Sequence, residues 1–511
     1  MIKYLICGAM VIYLLVMLVI GFIFSKKNSN AEDFYLGGRK MGPLVTAMSA
    51  EASDMSSWLL MGLPGVAYLS GICDAAWTAI GLAVGTWLNW FFVSRRLRRY
   101  SSNIGAITVP DFFSKRYGDQ KGVLSAIAAL VIIVFFIPYT ASGFAACGKL
   151  FNTLFGVDYT IAMMISALVI VAYTIMGGFS AVCTTDMIQS IVMTIAIVTV
   201  LIFGTYQAGG VDAVMENAKS MSGYLSMTSK YDPTTGTATE YSALTIASTL
   251  AWGLGYFGMP HILVRFMGIK DEKKLKLSRR VASIWVVIAM TVAIVIGIVG
   301  SAMSKAGVIE VLEGSGNSER VIVKITDVLS QYGPAAAILA GVILARILAA
   351  TMSTSDSQML AAASSVSQNI IQDFFKVKIS EKMSLVIARI TIVVIAIISI
   401  FLARDPNSSV FQIVSFAWAG FGGAFGAVML LALFWKRSNK WGALAGMVAG
   451  GAMVFAWKYG ISNLGGVFAI YELLPAFITS LLADVIVSLI TRKPSEEICE
   501  EFDRAKVDKA L

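Results

Sequence analysis

Thirteen runs of apolar residues, separated by short polar segments, follow one another along this chain. A helix needs about 20 mostly apolar residues to cross a bilayer, so the runs predict an all-α integral membrane protein with about 13 transmembrane helices. We number them spans 1 to 13, with approximate limits 5–24, 43–68, 73–94, 122–148, 158–177, 187–208, 241–264, 281–303, 334–370, 385–403, 409–435, 441–458 and 468–490. An apolar share of 57% excludes a soluble globular protein, for which about 45 to 50% is usual.

The basic residues between the spans predict an orientation in the membrane. With the amino terminus outside, the cytoplasmic segments hold 29 Lys and Arg and the outer segments nine, while Arg346 and Arg389 fall within spans. Loops rich in Lys and Arg stay on the cytoplasmic side. We therefore expect a multi-pass protein of a prokaryotic cytoplasmic (inner) membrane, with the carboxyl terminus inside. The net charge of +9 then reflects topology and does not indicate a nucleic-acid partner.

Several function classes lack their usual sequence features. The five cysteines form no C-x-x-C motif and His261 is the only histidine, so neither a zinc site nor a disulfide framework is indicated. No nucleophile and base motif or nucleotide-binding loop is visible, so we expect no enzyme. The short tail argues against a sensor with a fused signalling domain, and nothing resembles a channel filter. No obligatory protein partner is evident beyond the lipid bilayer.

Two spans contain segments that disfavour a continuous helix. Residues 49–57 of span 2 are rich in Ser and Ala and include two acids, and residues 252–260 of span 7 contain three glycines and a proline. Within the hydrocarbon, irregular backbone is tolerated only where it is buried in protein or lines a cavity. Both spans are therefore predicted to be discontinuous helices.

A cluster of hydroxyl groups marks span 9. Ser353, Thr354 and Ser357 share one face of the predicted helix. One interpretation is that small polar residues allow close helix packing. The interpretation we favour for the whole cluster is a cation site, since an alkali cation needs several oxygen ligands. The sequence thus predicts a central site formed by spans 2, 7 and 9.

The spacing of the broken spans predicts an internal repeat. Spans 2 and 7 are five apart, as expected when helices 2–6 and 7–11 form two inverted five-helix repeats that meet at a midplane site. The predicted units are a first helix with its inner loop (1–42), the first repeat (43–208), a Thr- and Ser-rich solvated outer loop (209–240), the second repeat (241–435), two further helices (436–490) and a cytoplasmic tail (491–511).

Long stretches of the chain resemble a known family. The segments 52–65, 252–261 and 349–358, with Tyr35 to Arg39 and Thr108 to Phe112 in the inner loops, resemble the sodium/solute symporter family, closest to its sodium/proline symporter branch. The resemblance covers most of the chain. It implies the leucine-transporter fold, and import of proline coupled to sodium, with the ion held between spans 2 and 9.

The resemblance also implies which residues form the sites. The sodium ligands would be the carbonyls of Ala52, Met55 and Ala350 and the hydroxyls of Ser353 and Thr354. The substrate site would comprise Ser56, Tyr139, Trp252, Tyr256 and Pro260, with Asp54 nearby. Asp186 matches a family aspartate near the inward path of the ion, although a helix-capping carboxylate is an equally good interpretation.

The chain departs from the family pattern at several positions. Glu51 and Arg346 stand where proline carriers have small residues, and a lone charge within the membrane is costly, so we expect them to pair. The pair either bridges the two helices or, with Asp356 beside the site, alters coupling so that a proton replaces or supplements sodium. Met259 replaces a polar residue, which leaves another small amino acid or related organic solute as an alternative substrate.

Overall fold

The computed structural model describes residues 1–25 and 31–506. Within that part of the chain, nine helices are long and apolar enough to cross a membrane, and four shorter apolar helices accompany them. These segments coincide with the predicted spans, so an all-α membrane protein is confirmed. Lys26 and Lys27 of the first inner loop and residues 507–511 of the predicted tail lie outside the described residues.

Most spans are single helical segments. They are span 1 (Ile2–Ser25), span 3 (Ile72–Asn103), span 4 (Val123–Phe155), span 8 (Leu275–Lys305), span 9 (Pro334–Phe374), span 10 (Glu381–Leu402), span 11 (Val410–Phe434), span 12 (Lys440–Tyr459) and span 13 (Leu473–Ile490). Shorter helices connect them: Ala31–Leu36, Val109–Arg116, Val211–Ser220, Gly314–Ser318 and Val321–Ser330, with Glu496–Arg504 in the tail. Several helices exceed the predicted limits because their ends continue into polar sequence.

The predicted inner segment 178–186 is helical, so the turn between spans 5 and 6 is shorter than the sequence predicts. Helical structure runs through Tyr159–Gln207, 49 residues, because no proline interrupts 178–186 and its one charge is Asp186. Straight, it would be about 74 Å long, more than twice the hydrocarbon thickness. At its two ends, Tyr159 donates a hydrogen bond to the Ala403 carbonyl and Gln207 donates one to the Tyr332 hydroxyl, so both ends lie on the same side of the helix bundle. Phe179, between them, packs with Met41 on the opposite side. The segment therefore folds back as two antiparallel spans.

Burial separates central spans from peripheral ones. In the most apolar stretch of each span, 72% of the residues of span 9 and 83% of those of span 11 are buried within the protein. The corresponding shares are 28% for span 10 and 22% for span 12. Apolar side chains that face outward from a membrane helix face lipid. Spans 9 and 11 thus belong to the centre, where a site is shielded, and spans 10 and 12 to the lipid-facing edge.

The outer loop 209–240 is more ordered than its composition predicts. It contains the helix Val211–Ser220 and a two-stranded antiparallel hairpin of β1 (Ser229–Asp232) and β2 (Thr237–Glu240). The hydroxyl of the fully buried Tyr224 donates to the carbonyls of Ala67 (2.7 Å) and Tyr68 (2.8 Å) in span 2. Strand β2 is exposed along its whole length. The loop is thus solvated at its tip but anchored on the end of span 2.

Candidate functional site

Span 2 is broken near its middle. The helix Pro43–Asp54 stops at Met55, a π-helical turn runs through Trp58–Gly62, and an α-helix completes the span at Leu63–Ser70. Ser56 donates its backbone N–H to the carbonyl of Asp54 (2.8 Å) instead of the carbonyl of Ala52. The Ala52 oxygen therefore lacks its helical partner and is available to another group.

Span 7 is broken at the corresponding position of the second predicted repeat. It consists of the α-helix Ala243–Leu250, the 3₁₀ segment Ala251–Phe257 and the helix Pro260–Gly268. Proline suits the first turn of a helix because its missing N–H would have no helical partner there. Both discontinuous helices predicted from the glycine, serine and proline clusters are confirmed.

The hydroxyl cluster of span 9 faces the break in span 2. Ser353 Oγ lies 3.1 Å from the Ala52 carbonyl and 3.3 Å from the Ala350 carbonyl. Thr354 Oγ1 is buried without a hydrogen-bond partner, and Met55 is fully buried at the break. The structure thus brings Ser353 Oγ and the carbonyls of Ala52 and Ala350 to one buried junction between spans 2 and 9. Thr354 adjoins Ser353 in the chain, and Met55 lies three residues after Ala52.

Several candidate substrate residues meet at the same break, whereas Pro260 begins the last helix of span 7. Tyr256 donates its hydroxyl to Asp54 Oδ2 (2.6 Å), and the Asp54 carbonyl accepts from Tyr139 (3.4 Å) and from the Trp58 indole (2.9 Å). Ser56 is 2% exposed and adjoins Asp54 in the chain. Asp54 thus joins spans 2, 4 and 7 at one point.

Aromatic rings surround Trp252. Its ring centroid lies 5.3 Å from that of Phe411, 5.2 Å from Tyr471 and 6.1 Å from both Trp58 and Trp418. The Trp418 indole donates to the Trp252 carbonyl (2.7 Å), which holds the unwound segment of span 7 in place. Such a wall favours an apolar ring or an organic cation.

Asp186 is the centre of a buried polar network. Asp186 Oδ2 accepts from Arg265 (3.0 Å) and from Ser49 (2.7 Å), and Arg265 also donates to Ser357 (2.9 Å) and to the His261 carbonyl. Asp186 is fully buried and lies eight residues into the helix Phe179–Gln207, beyond its first turn, so the helix-capping interpretation is wrong. The network ties spans 2, 6, 7 and 9 together.

The expected ion pair between Glu51 and Arg346 is not formed. Glu51 Oε1 accepts from the Trp90 indole of span 3 (3.0 Å). The Arg346 guanidinium points to Gln189 (3.5 Å) and Met193 (3.6 Å) of span 6 instead. Neighbouring residues on a helix point in different directions. Ala52 faces span 9, which carries Arg346, whereas Glu51 faces span 3. No basic side chain in the described ranges contacts Glu51.

Cavities lie on both sides of the broken spans. A cavity of about 500 Å³ is lined by the ends of spans 2 and 3, by hairpin residues and by Trp252. A smaller cavity on the opposite side is lined by Pro260, His261, Arg265, Ser357 and the inner helices. Tyr256 and Asp54 line neither cavity. The junction therefore separates two paths of approach.

The comparisons with known proteins agree with this arrangement. The model of the sodium:solute symporter family matches residues 34–450. The osmoregulated proline transporter OpuE of Bacillus subtilis is 40% identical over 95% of this chain and 94% of its own. The sodium/proline symporter of Haemophilus influenzae is also 40% identical, over 97% of this chain and 96% of its own.

The chain belongs to the sodium:solute symporter family. Solved structures agree on the fold: a Na⁺-coupled sialic acid symporter superposes with a TM-score of 0.78 at 20% identity, covering 97% of this chain and 98% of that one. The transporter MhsT gives 0.54 at 14% identity, over 88% and 98%. The leucine-transporter fold is thereby confirmed, and the family is one of membrane transporters and not of enzymes, as predicted.

Several residues of this symporter's centre were missed by sequence reasoning. Arg265 was counted as a topological charge because it follows the predicted end of span 7, yet it is 1% exposed and pairs with Asp186. Its position four residues after His261 on a helix that starts at Pro260 could have placed it inside. Trp58, Phe411 and Trp418 gave no signal, because aromatic residues are common throughout the apolar spans.

Proposed function

We propose that this symporter imports proline together with sodium across the cytoplasmic membrane by alternating access. The observation that carries the proposal is the contact of Ser353 Oγ with the Ala52 carbonyl, two residues before the carboxyl group of Asp54 in the candidate substrate site. Relatives named as proline transporters and sodium/proline symporters support the choice of solute and ion. Because one short break serves both groups, an ion bound there orients the substrate residues.

The junction of spans 2 and 9 has the ligand chemistry of a sodium site. The Ala52 carbonyl has lost its helical partner and the buried hydroxyl of Thr354 has none. With Met55, Ala350 and Ser353 they form a neutral set of oxygens, the ligand type that hard cations prefer. Sodium bound there would link spans 2 and 9, and would replace the hydrogen bond from Ser353 to Ala52.

The aromatic junction suits a small zwitterion with an apolar ring. The rings of Trp252 and its neighbours would contact the pyrrolidine ring, and the Asp54 carboxylate lies within the hydrogen-bonded group that would face the ammonium. The start of the half-helix at Pro260 favours a carboxylate through the helix dipole. We propose Ser56, Tyr139, Trp252, Tyr256, Pro260 and Asp54 as the substrate site.

The direction of transport follows from the predicted orientation. The excess of Lys and Arg in alternate segments favours an outer amino terminus. The 500 Å³ cavity then faces outward and the cavity at Pro260 faces inward. We propose that rocking of spans 2–6 against spans 7–11 exposes the junction to each cavity in turn.

Uptake by the purified chain in proteoliposomes tests the proposal. A sodium gradient is expected to drive accumulation of radiolabelled proline, and a proton gradient without sodium is expected to drive none. Proton-driven uptake, or a preference for another amino acid over proline, would instead support the alternative raised by Glu51 and Met259.

A pair of matched variants tests the ion site. Ser353→Ala combined with Thr354→Val removes both hydroxyls, and the sodium concentration for half-maximal uptake is expected to rise at least about tenfold, the equivalent of 1.4 kcal/mol. Thr351→Val removes a single hydroxyl one turn earlier, which donates to the Ile347 carbonyl of its own helix. This variant is expected to leave the sodium concentration for half-maximal uptake unchanged. Equal effects of both variants would refute the assignment.

A further inference from the structure

The buried charges of the transport centre do not balance. Among the described residues of spans 2, 3, 6, 7 and 9, six charged side chains are at most 1% exposed: the carboxylates of Glu51, Asp54, Asp186 and Asp356 and the guanidinium groups of Arg265 and Arg346. With every group ionised, the net charge of this set is minus two. Arg265 pairs with Asp186 at 3.0 Å, and Arg346 approaches the same span. Both cations thus lie on the side of span 6.

Glu51 and Asp54 are two of the buried carboxylates that form no ion pair. Their hydrogen bonds come from the Trp90 indole and the Tyr256 hydroxyl, and no Lys or Arg in the described chain forms an ion pair with either. Glu51 Oε2 and Asp54 Oδ1 are buried and accept no hydrogen bond. An ionised carboxylate without a partner costs several kcal/mol within a membrane protein, and a bound cation would offset that cost.

Span 3 supplies two further oxygens without partners. Thr86 Oγ1 and Asn89 Oδ1 are buried and unbonded, and the side chains are 0% and 1% exposed. They are three residues apart on span 3, as Glu51 and Asp54 are on span 2, so each pair shares one helix face.

Contacts with span 7 bring the two faces together. Asn89 donates its amide to the Tyr256 carbonyl (3.0 Å), and the Thr86 hydroxyl lies beside the Tyr256 hydroxyl that bonds Asp54. Trp90, the next residue on span 3, donates to Glu51. Glu51, Asp54, Thr86 and Asn89 thus lie around one tyrosine.

We propose that Glu51, Asp54, Thr86 and Asn89 form a second sodium site, between spans 2 and 3. It is distinct from the Ala52 and Ser353 junction, because Glu51 turns toward span 3 whereas the Ala52 carbonyl faces span 9. Two carboxylates, a hydroxyl and an amide oxygen are a ligand set for a hard cation. The inference rests on the proposed sodium coupling and extends it to two ions.

Charge balance selects a monovalent occupant. One sodium at the neutral junction and one at the Glu51 site offset the net charge of these four carboxylates and two guanidinium groups, and a zwitterionic substrate adds no net charge. A divalent ion at the Glu51 site, with sodium at the junction, would leave an excess positive charge in the membrane interior, which is costly. The loaded centre is therefore neutral with two sodium ions for each substrate.

Equilibrium binding of ²²Na⁺ to the purified full-length chain, without substrate, tests the site directly. The unmodified chain is expected to bind two sodium ions, and Glu51→Gln one, because glutamine keeps an acceptor for Trp90 but removes the charge. Asp484→Asn is the matched control: it neutralises a fully buried carboxylate of span 13 that accepts from Ser438 and Ser488, and two ions are expected.

Other variants separate failure of the second site from misfolding and from failure of sodium coupling. Thr86→Val keeps the charge and the side-chain shape, and is expected to weaken one of the two binding steps by about tenfold, with a melting temperature near that of the unmodified chain. One bound ion in the unmodified chain, or two in Glu51→Gln, overturns the second site and leaves the proposed function standing. No bound sodium at all refutes both.

Discussion

The structural role of Lys149 depends on the groups that surround it. Its ammonium is fully buried and contacts Glu319 Oε2 (2.7 Å) and the carbonyls of Gly316 and Ser408. Glu319 in turn accepts from the first backbone amides of span 11, Val410 and Phe411. From sequence, Lys149 was counted as a charge in an outer loop. In the structure it fixes the start of span 11 against span 4.

Removing one partner of this ion pair tests its role. Glu319→Gln leaves a buried ammonium without a counter-charge and is expected to cost about 3 to 5 kcal/mol of stability, seen as a lower melting temperature of the detergent-solubilised chain. Glu310→Gln is the control: Glu310 pairs with Lys324 at 2.9 Å but its side chain is 64% exposed, and such pairs contribute at most about 1 kcal/mol. Equal melting shifts would contradict the structural role.

Among the helices, the close backbone contact between spans 3 and 7 restricts which residues can stand at Gly81, Gly85 and Gly253. A Cβ at Gly85 would lie 2.3 Å from the Gly253 carbonyl oxygen, and one at Gly253 would lie 2.2 Å from the Gly81 carbonyl oxygen. Small residues let membrane helices approach closely. Here they seat the unwound segment that carries Trp252 and Tyr256.

Gly85→Ala is therefore expected to displace span 7. Overpacking costs about 1 to 3 kcal/mol, and we expect proline uptake to fall more than stability, since Trp252 and Tyr256 lie on the displaced segment. The expected result is a raised KM for proline with protein still recovered in the membrane. Gly8→Ala in span 1 meets no atom within 4 Å and is expected to leave uptake unchanged; a similar loss there would point to a general effect of substitution.

The elements were predictable where local chemistry decides them. The Ser and Ala cluster of span 2 and the glycines of span 7 predicted both breaks, because such sequences disfavour a continuous helix. The length of the turn between spans 5 and 6 was predicted wrongly. Residues 178–186 include no proline, and Phe179 and Cys183 pack with Met41, a contact that local sequence does not report.

The tail connects distant parts of the whole molecule. Its helix Glu496–Arg504 buries Phe502, which lies 4.7 Å from the Arg96 guanidinium and 5.0 Å from that of Arg116. Asp503 bonds Lys436 between spans 11 and 12. Hydrogen bonds from Lys436 and then Lys506 lower the pKa of Asp503 to about 2. A lowered carboxyl pKa adds stability that is lost only as the pH falls from about 4 toward 2, so docking is expected not to change between pH 5 and 9.

Phe502→Ala tests whether the tail is held by its aromatic contact. Loss of this buried ring is expected to release the helix, seen as at least tenfold faster hydrogen exchange in residues 496–504 while exchange in spans 2 and 7 is unchanged. Arg504→Ala removes only exposed pairs with Glu500 and Glu501 and serves as the control. Unchanged exchange in Phe502→Ala would show that other contacts hold the tail.

Sequence reasoning alone was enough to predict that the chain crosses the membrane repeatedly, that spans 2 and 7 break, and that the break residues and hydroxyls of span 9 group together. These follow from hydrophobic runs, backbone chemistry and motifs, all local properties of the chain. Which buried charges meet depends on how the helices pack, and the sequence did not predict it. The packing separates Glu51 from Arg346, joins Asp186 to Arg265 and leaves Glu51 with Asp54 beside Thr86 and Asn89. Side-chain partners depend on the direction in which each helix face points after packing, and spacing along the chain does not fix that direction.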